Sequence, residues 1–209
     1  MKVLIIRCGA LGDLVYATSI IDALKVEYGE ETIIDFVCTP GSGSLFNADK
    51  RINKVFVLKH KKIPLFFSTQ KKAIVQHSQQ VPYDILVNFE FGKQFKSLLT
   101  KIHAKKKIGV QLEKIVFPQK MTHMVDITKY IFKSIVSQEI YDKSFPHVLG
   151  LSKKDIYTKY KLAQEYIIIS PSNSHQKKNR MNYRAWKNES WIELIHKLAQ
   201  NIQVVIVGS

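Results

Sequence analysis

The sequence predicts an α/β protein built on a parallel sheet, and three observations lead to that fold class. Short apolar runs recur along the chain, and several are followed by segments with apolar residues at helical spacing. Runs such as Val-Leu-Ile-Ile at residues 3–6 are continuously apolar, which is typical of strands buried on both faces. Turn-forming segments rich in glycine, proline and serine follow the first two strands. Together these observations predict βαβ units with helices on both faces of the sheet.

The first five strands and their helices are predicted within residues 1–145. A strand at 3–7 enters the turn Cys-Gly-Ala-Leu-Gly-Asp, and Leu14, Ile21 and Leu24 then recur at helical spacing. Gly29 is predicted to cap this helix at its C-terminus. The other strands are predicted at 33–37, 54–58, 84–88 and 107–110, and the other helices at 66–80, 93–103 and 122–137.

The pattern divides the chain into three predicted parts. Residues 1–145 form a Rossmann-like domain, and residues 146–165 are charged and weakly patterned, which predicts a linker. Residues 166–209 restart the alternation with a strand at 166–170, a helix at 189–200 and a strand at 203–207. A strand–helix–strand unit of about 40 residues is too small to bury both faces of its strands. We therefore expect this second domain to be incomplete.

Positive charge is the most unusual property of the composition. Thirty-two Lys and Arg against 17 Asp and Glu give a formal net charge of +15 at pH 7. Residues 50–83 and 93–107 are rich in lysine and contain no acid. The charge favours anionic partners, although a solvated basic surface without a ligand is the alternative for either stretch.

Composition also argues against several classes of protein. No apolar run approaches the roughly 18 residues of a membrane-spanning helix. Arg7 interrupts the first apolar stretch, which is too short for the core of a signal peptide. Cys8 and Cys38 are too few for a disulfide scaffold or a cysteine-built zinc site, and the histidines have no metal-binding spacing. We therefore expect a cytoplasmic protein without a metal.

The turn at residues 7–13 is the first candidate site. Gly9 and Gly12 let the backbone approach a ligand closely. The pattern is neither the G-x-G-x-x-G of dinucleotide binding nor a P-loop. Asp13 is predicted at the carboxyl edge of the sheet, where open α/β proteins bind ligands and where it could act as general base on a hydroxyl. Alternatively, Asp13 only complements the dipole of the helix that begins there.

A second candidate site lies between the strand at 166–170 and the helix at 189–200. The connection carries Lys177, Lys178, Arg180 and Arg184 without a single acid. A basic, hydroxyl-containing loop between a strand and a helix suits a diphosphate. A basic loop without a ligand is the alternative.

Residues 2–25 resemble the N-terminus of glycosyltransferase family 9, which contains the ADP-heptose:lipopolysaccharide heptosyltransferases. That family opens with an apolar strand, a Gly-x-x-Gly-Asp turn and a helix ending in Ala-Leu-Arg/Lys, and Gly9, Gly12 and Asp13 match its turn. Looser similarities follow in order at 83–89 (Tyr-Asp-Ile-Leu-Val-Asn-Phe), 106–110 (Lys-Lys-Ile-Gly-Val), 123–125 (His-Met-Val), 169–172 (Ile-Ser-Pro-Ser) and 191–194 (Trp-Ile-Glu-Leu).

The resemblance implies a GT-B-like enzyme whose N-terminal domain holds the acceptor and whose C-terminal domain holds a nucleotide-sugar. It implies inverting transfer of heptose from ADP-heptose to a lipopolysaccharide core or related surface glycan, without metal or other cofactor. The family's aspartate falls on Asp13, which would deprotonate the acceptor hydroxyl, with Gly9 and Gly12 in the acceptor-side loop. Ser172, Lys178 and Arg184 would meet the donor diphosphate.

Family members continue beyond the point that corresponds to Ser209, so the resemblance also implies a truncated donor domain. We expect the isolated chain to be inactive as a transferase. The expected partners are the nucleotide-sugar and an anionic glycolipid at the inner-membrane surface, and not nucleic acid. Two alternatives stay open: a non-catalytic polyanion-binding remnant, and a nucleotide-binding α/β protein of unrelated chemistry. Phe66 and Phe67 are expected to pack in the core rather than at a lipid boundary.

Overall fold

The computed structural model describes residues 1–171 and 185–208. The chain divides into two compact units, Met1–Gly150 and Leu151–Ser209. Each unit contains a parallel sheet, as the alternation of strands and helices predicts. Within the described residues, no helix is long and apolar enough to cross a bilayer.

The sheet of the first unit has five parallel strands in the order β3-β2-β1-β4-β5. The strands are β1 Lys2–Ile6, β2 Ile33–Cys38, β3 Lys54–Val57, β4 Tyr83–Asn88 and β5 Ala104–Gly109. The chain builds outward from β1 through β2 to β3, and then crosses to the other side of β1 to form β4. The strand order therefore reverses between β1 and β4, and ligands of open α/β sheets bind at the carboxyl ends of the strands at such a point.

Helices cover both faces of this sheet. They are α1 Leu11–Ala17, α2 Ser19–Tyr28, α3 Pro40–Gly43, α4 Thr69–Gln80, α5 Lys96–Lys101, α6 Met124–Phe132 and α7 Gln138–Lys143, with 3₁₀ turns at Ser44–Phe46, Leu65–Phe67, Lys93–Phe95 and Lys133–Ile135. Alternate residues of β1 enter opposite apolar layers, Val3 with the helices α1, α2 and α6 and Leu4 with α4 and α5. This burial on both sides explains the unbroken apolar run in the sequence.

The predicted first helix is divided into α1 and α2 at Thr18. The Thr18 hydroxyl donates to the Val15 carbonyl at 2.7 Å, and it also accepts the His147 backbone N–H at 2.9 Å. Such bonds from a hydroxyl to the preceding turn favour a bend. The predicted cap is confirmed, because Gly29 ends α2 with a φ of 99°, a conformation that favours glycine.

The expectation that Phe66 and Phe67 pack in the core is wrong. Both side chains are exposed, and only Leu65 of the turn Leu65–Phe67 packs against the apolar layer under α4. A 3₁₀ turn has three residues per turn, so it presents one residue in three to the core and directs the others outward.

The second unit contains α8 Lys153–Tyr160, β6 Tyr166–Ile169, α9 Asn188–Ala199 and β7 Gln203–Ile206. Strands β6 and β7 pair in parallel from Tyr166 opposite Gln203 to Ile169 opposite Ile206. Helix α8 lies in the stretch predicted as a linker, and the Ser152 hydroxyl caps its N-terminus by accepting the Asp155 N–H at 3.2 Å. No residue of α8 is buried, so the sequence carries no apolar periodicity that could predict it.

Candidate functional site

Charged side chains meet at the carboxyl ends of β1 and β4, where the strand order reverses. Arg7 follows β1, and its guanidinium Nη1 donates to the Phe89 carbonyl beyond the end of β4 at 2.8 Å. Nη2 of the same side chain lies 2.9 Å from Oδ1 of Asp13 in the first turn of α1. Nη1 also lies 3.8 Å from Oε1 of Glu90. Arg7 therefore joins both strand ends to the helix that carries Asp13.

The Asp13 carboxylate is oriented from two sides and remains accessible. Oδ1 pairs with Arg7, while Oδ2 accepts the backbone N–H of Ala10 at 2.9 Å. A carboxylate offers about four acceptor positions, and 35% of this side chain is exposed. The remaining acceptor positions are thus available to a ligand, and the group can take a proton from a hydroxyl that is placed against it.

The two glycines of the turn differ in what the structure requires of them. A Cβ atom at Gly9 would overlap the side chain of Asp13, so a side chain there would displace the carboxylate. A Cβ atom at Gly12 would meet nothing within 4 Å. The sequence pattern does not distinguish the two positions, but only Gly9 is needed for the observed position of Asp13.

Glu90 is a site residue that was not predicted from the sequence. Its Oε1 accepts the backbone N–H of Cys8 at 2.7 Å, and its own N–H donates to Oδ1 of Asn88 at 3.2 Å. The side chain is almost fully buried. A signal was present in the sequence, because Glu90 is the one acid between Asp84 and Glu113 and follows directly after a predicted strand.

Two lysines of the basic stretch 50–83 belong to this region rather than to a solvated surface. Lys61 Nζ donates to the Cys8 carbonyl at 3.0 Å. Lys71 is completely buried, and its Nζ donates to the carbonyls of Lys61, Ile63 and Gln94 at 2.9, 2.8 and 3.0 Å. These bonds use the three N–H groups of the ammonium. Burial lowers the pKa of Lys71, and the three hydrogen bonds offset part of the cost of burying its charge. Lys71 therefore holds the loop that places Lys61 at the turn.

The cysteines do not supply a nucleophile at this site. Burial raises the pKa of the Cys8 thiol far above its usual range and raises that of Cys38 to about 11. Both thiols are therefore protonated near neutral pH and unreactive. Within residues 1–171 and 185–208, no cluster of three His, Cys, Asp or Glu side chains could hold a metal ion.

The predicted donor-binding residues Ser172, Lys178 and Arg184 lie outside the described residues. The strand and the helix predicted to flank them are present as β6 and α9. The assignments of Ser172, Lys178 and Arg184 to the donor therefore stay predictions.

No protein-family model and no curated protein matches this chain. Solved glycosyltransferases nevertheless have a similar fold. The family 9 glycosyl transferase from Veillonella parvula DSM 2008 aligns with a TM-score of 0.71 at 14% identity, over 100% of this chain and 62% of its own. The chain has the GT-B-like fold of these enzymes.

Two further structures give the same result. Escherichia coli heptosyltransferase WaaC, solved with ADP, aligns with a TM-score of 0.64 at 19% identity, over 99% of this chain and 67% of its own. E. coli ADP-heptose lps heptosyltransferase II aligns with a TM-score of 0.71 at 15% identity, over 100% and 65%. The predicted fold class is confirmed, and the chain spans about two thirds of the length of these structures.

Proposed function

We propose that the chain belongs to glycosyltransferase family 9 and acts in transfer of a sugar from a nucleotide-sugar to a surface-glycan acceptor. The observation that carries the proposal is the position of Asp13. Its carboxylate is held by Arg7 and Ala10 at the switch point of the sheet and keeps free acceptor positions. The similarity of the fold to heptosyltransferases supports the same class of reaction.

In the proposed reaction Asp13 is the general base. The acceptor hydroxyl oxygen forms a bond to the anomeric carbon while the bond from that carbon to the diphosphate breaks. The hydroxyl proton passes to an oxygen of Asp13, and the nucleoside diphosphate leaves with the bonding electrons. Attack on the face opposite the leaving group inverts the anomeric centre. Arg7 contributes by fixing the orientation of the carboxylate.

The proposed donor is ADP-heptose. Ser172, Lys178 and Arg184 would contact its diphosphate and stabilise the charge that develops on the leaving group, without metal. A structure of WaaC with bound ADP supports this class of donor. The proposed acceptor is the core of lipopolysaccharide, or a related anionic glycolipid, at the cytoplasmic surface of the inner membrane. The net charge of +15 supports an acidic acceptor.

Calorimetric titration of the chain with ADP, ADP-heptose and UDP-sugars at low and high salt tests the donor half of the proposal. We expect selective binding of the ADP compounds that persists at high salt. The variant Lys178→Gln/Arg184→Gln should lose this binding. Lys153→Gln/Lys154→Gln removes the same charge from exposed positions of α8 and should keep it. Binding that is absent, or that salt abolishes for every ligand alike, would contradict the proposal and favour the polyanion-binding module.

A further inference from the structure

One surface of the first unit combines an exposed aromatic pair with lysines. Phe66 and Phe67 are 74% and 73% exposed, and their rings meet edge to face with centroids 5.1 Å apart. Beside them run two adjoining grooves of about 570 and 540 Å³. The first lies between the turn Leu65–Phe67 and the helices α4 and α5, and the second between residues 62–65, the turn Lys93–Phe95 and α5. We call this region the Phe–Lys surface; it comprises Phe66, Phe67 and the groove lysines Lys62, Lys72, Lys93, Lys96 and Lys101.

The charged side chains of the Phe–Lys surface are all positive. No acid lines either groove, and no ion pair among the described residues involves its five lysines. Leu65 and Val75 contribute apolar walls, and Lys72 Nζ lies 5.1 Å from the centre of the Phe66 ring. Adjacent exposed apolar side chains rimmed by polar residues mark a site of interaction. The partner must therefore offer both an apolar environment and negative charge.

We propose that the Phe–Lys surface docks on an anionic phospholipid bilayer. Phe66 and Phe67 enter the apolar boundary beneath the headgroups, and the surrounding lysines contact the lipid phosphates. Single-stranded nucleic acid fits less well, because the two rings are perpendicular and present no platform on which successive bases could stack. A bilayer requires no fixed pattern of partners, which suits lysines spread over two helices, one loop and one 3₁₀ turn.

The Phe–Lys surface is joined to the candidate site by the loop at residues 59–64. Lys61 contacts the Cys8 carbonyl at the site, and Lys71 holds the carbonyls of Lys61 and Ile63, next to Pro64 of the groove. A bilayer docked on the Phe–Lys surface would thus contact a region that this short loop links to the turn at residues 7–13, which ends at Asp13. This inference deepens the proposed function and rests on it for the lipid-linked acceptor, but lipid binding is measurable without any transfer.

Co-sedimentation of the chain with vesicles tests the proposal. We expect binding to equimolar phosphatidylcholine and phosphatidylglycerol, and much weaker binding to phosphatidylcholine alone. The variant Phe66→Ser/Phe67→Ser should bind the anionic vesicles on the order of 100-fold more weakly, because it removes the apolar contact. The matched control Val26→Ser/Val116→Ser alters side chains that are 66% and 69% exposed elsewhere and should bind as the wild type does.

The lysines are tested in the same way. Lys72→Gln, Lys96→Gln and Lys101→Gln should each weaken vesicle binding about fivefold. Lys114→Gln/Lys120→Gln, at exposed positions outside the surface, should change it little. The proposal is overturned if Phe66→Ser/Phe67→Ser sediments like the wild type, or if this variant loses single-stranded RNA rather than vesicles. Phe66→Ser/Phe67→Ser should keep nucleotide binding, because the two rings lie outside the proposed donor site. A wild-type chain that binds vesicles but no nucleotide would support the docking proposal and contradict the proposed transferase function.

Discussion

The buried Asp35 and the half-buried Asp13 lie in charged clusters at opposite ends of the same sheet. Near the amino ends of the strands, Asp35 of β2 is completely buried and accepts the Tyr83 hydroxyl and the Asn53 side-chain amide, each at 2.7 Å. At the carboxyl ends, Asp13 is held by Arg7 and one backbone N–H, but a third of its side chain faces solvent. The first cluster is closed by its own chain, whereas the second is open.

This difference distinguishes the structural role of Asp35 from the role proposed for Asp13. A buried carboxylate costs free energy unless hydrogen bonds and counter-charges satisfy it, and the Lys2 ammonium supplies a counter-charge with Nζ 3.9 Å from Oδ2 of Asp35. The His77 ring adjoins the same oxygen, with Nε2 at 3.6 Å. Burial, together with the Asp35 carboxylate, raises the pKa of Tyr83 far above its usual range, so this phenol stays a donor. No acceptor position of that cluster is offered to a ligand. Asp13 offers positions that a substrate hydroxyl can use.

The variant Asp13→Asn should have the largest effect, which is on the rate of sugar transfer. An amide keeps the shape of the side chain but cannot accept the proton, so the rate should fall about 100- to 10,000-fold. The measurement is sugar transfer from ADP-heptose to a glycolipid acceptor by the full-length protein that carries this substitution. The free energy of unfolding should change by no more than about 1 kcal/mol, because the pair with Arg7 is partly exposed. Undiminished transfer would reject Asp13 as the base.

The counterpart in the closed cluster is Asp35→Ala, which should act on stability. It leaves the Tyr83 hydroxyl and the Asn53 amide without their acceptor in a buried place, which should lower the free energy of unfolding by about 3–5 kcal/mol. Denaturant unfolding monitored by circular dichroism measures this loss. Asp126→Ala, at an exposed position in the first turn of α6, should cost about 0.5 kcal/mol. Equal losses in both variants would remove the distinction between the clusters.

A smaller effect distinguishes the two glycines of the open cluster. Gly9→Ala pushes the Asp13 carboxylate from its place, and such a displacement should slow transfer by roughly 10- to 100-fold. Gly12→Ala has free space in α1, so it should leave transfer unchanged and stabilise the fold by about 0.4–1 kcal/mol. Transfer assays and unfolding curves on both variants decide the point. A loss of rate in Gly12→Ala equal to that in Gly9→Ala would show that the contact with Asp13 is not the cause.

The smallest expected effect is a pH dependence of stability that arises beside Asp35. Burial, aided by the nearby Lys54 and Lys2 ammonium groups, lowers the pKa of His77, although Asp35 opposes this shift. The unfolded chain then binds a proton more readily than the folded one. The contribution of His77 is complete above the unfolded value of about 6.5 and is lost as the pH falls below it.

Unfolding of the wild type and of His77→Gln at a series of pH values below neutrality measures this dependence. The variant should lose less stability on acidification than the wild type does. His103→Gln, which changes an exposed ring, is the matched control and should keep the wild-type slope. A wild-type slope in His77→Gln would assign the dependence to another group.

Local features of the sequence account for much of the fold. Apolar runs predicted the seven strands of the described residues to within three residues of their ends. The run at residues 3–6 is unbroken because β1 is buried on both faces, whereas β5 contains three lysines and begins three residues before its predicted start. Helix α8 was missed because none of its residues is buried. Phe66 and Phe67 were misplaced because hydrophobicity alone does not reveal which residues of a 3₁₀ turn face the core.

The residues of the candidate site likewise comprise some that the sequence predicted and others that only the structure revealed. The turn from Arg7 to Asp13 and its glycines are contiguous, so their spacing after a strand was enough to predict a site. Glu90 reaches Cys8 across 82 residues and Lys61 reaches it across 53, and Lys71 is buried although it lies in a lysine-rich stretch. These contacts arise only when β4 pairs beside β1 and brings distant strand ends together. Periodicity and turn chemistry are properties of neighbouring residues, whereas strand order and the burial of a particular charge depend on packing between remote ones.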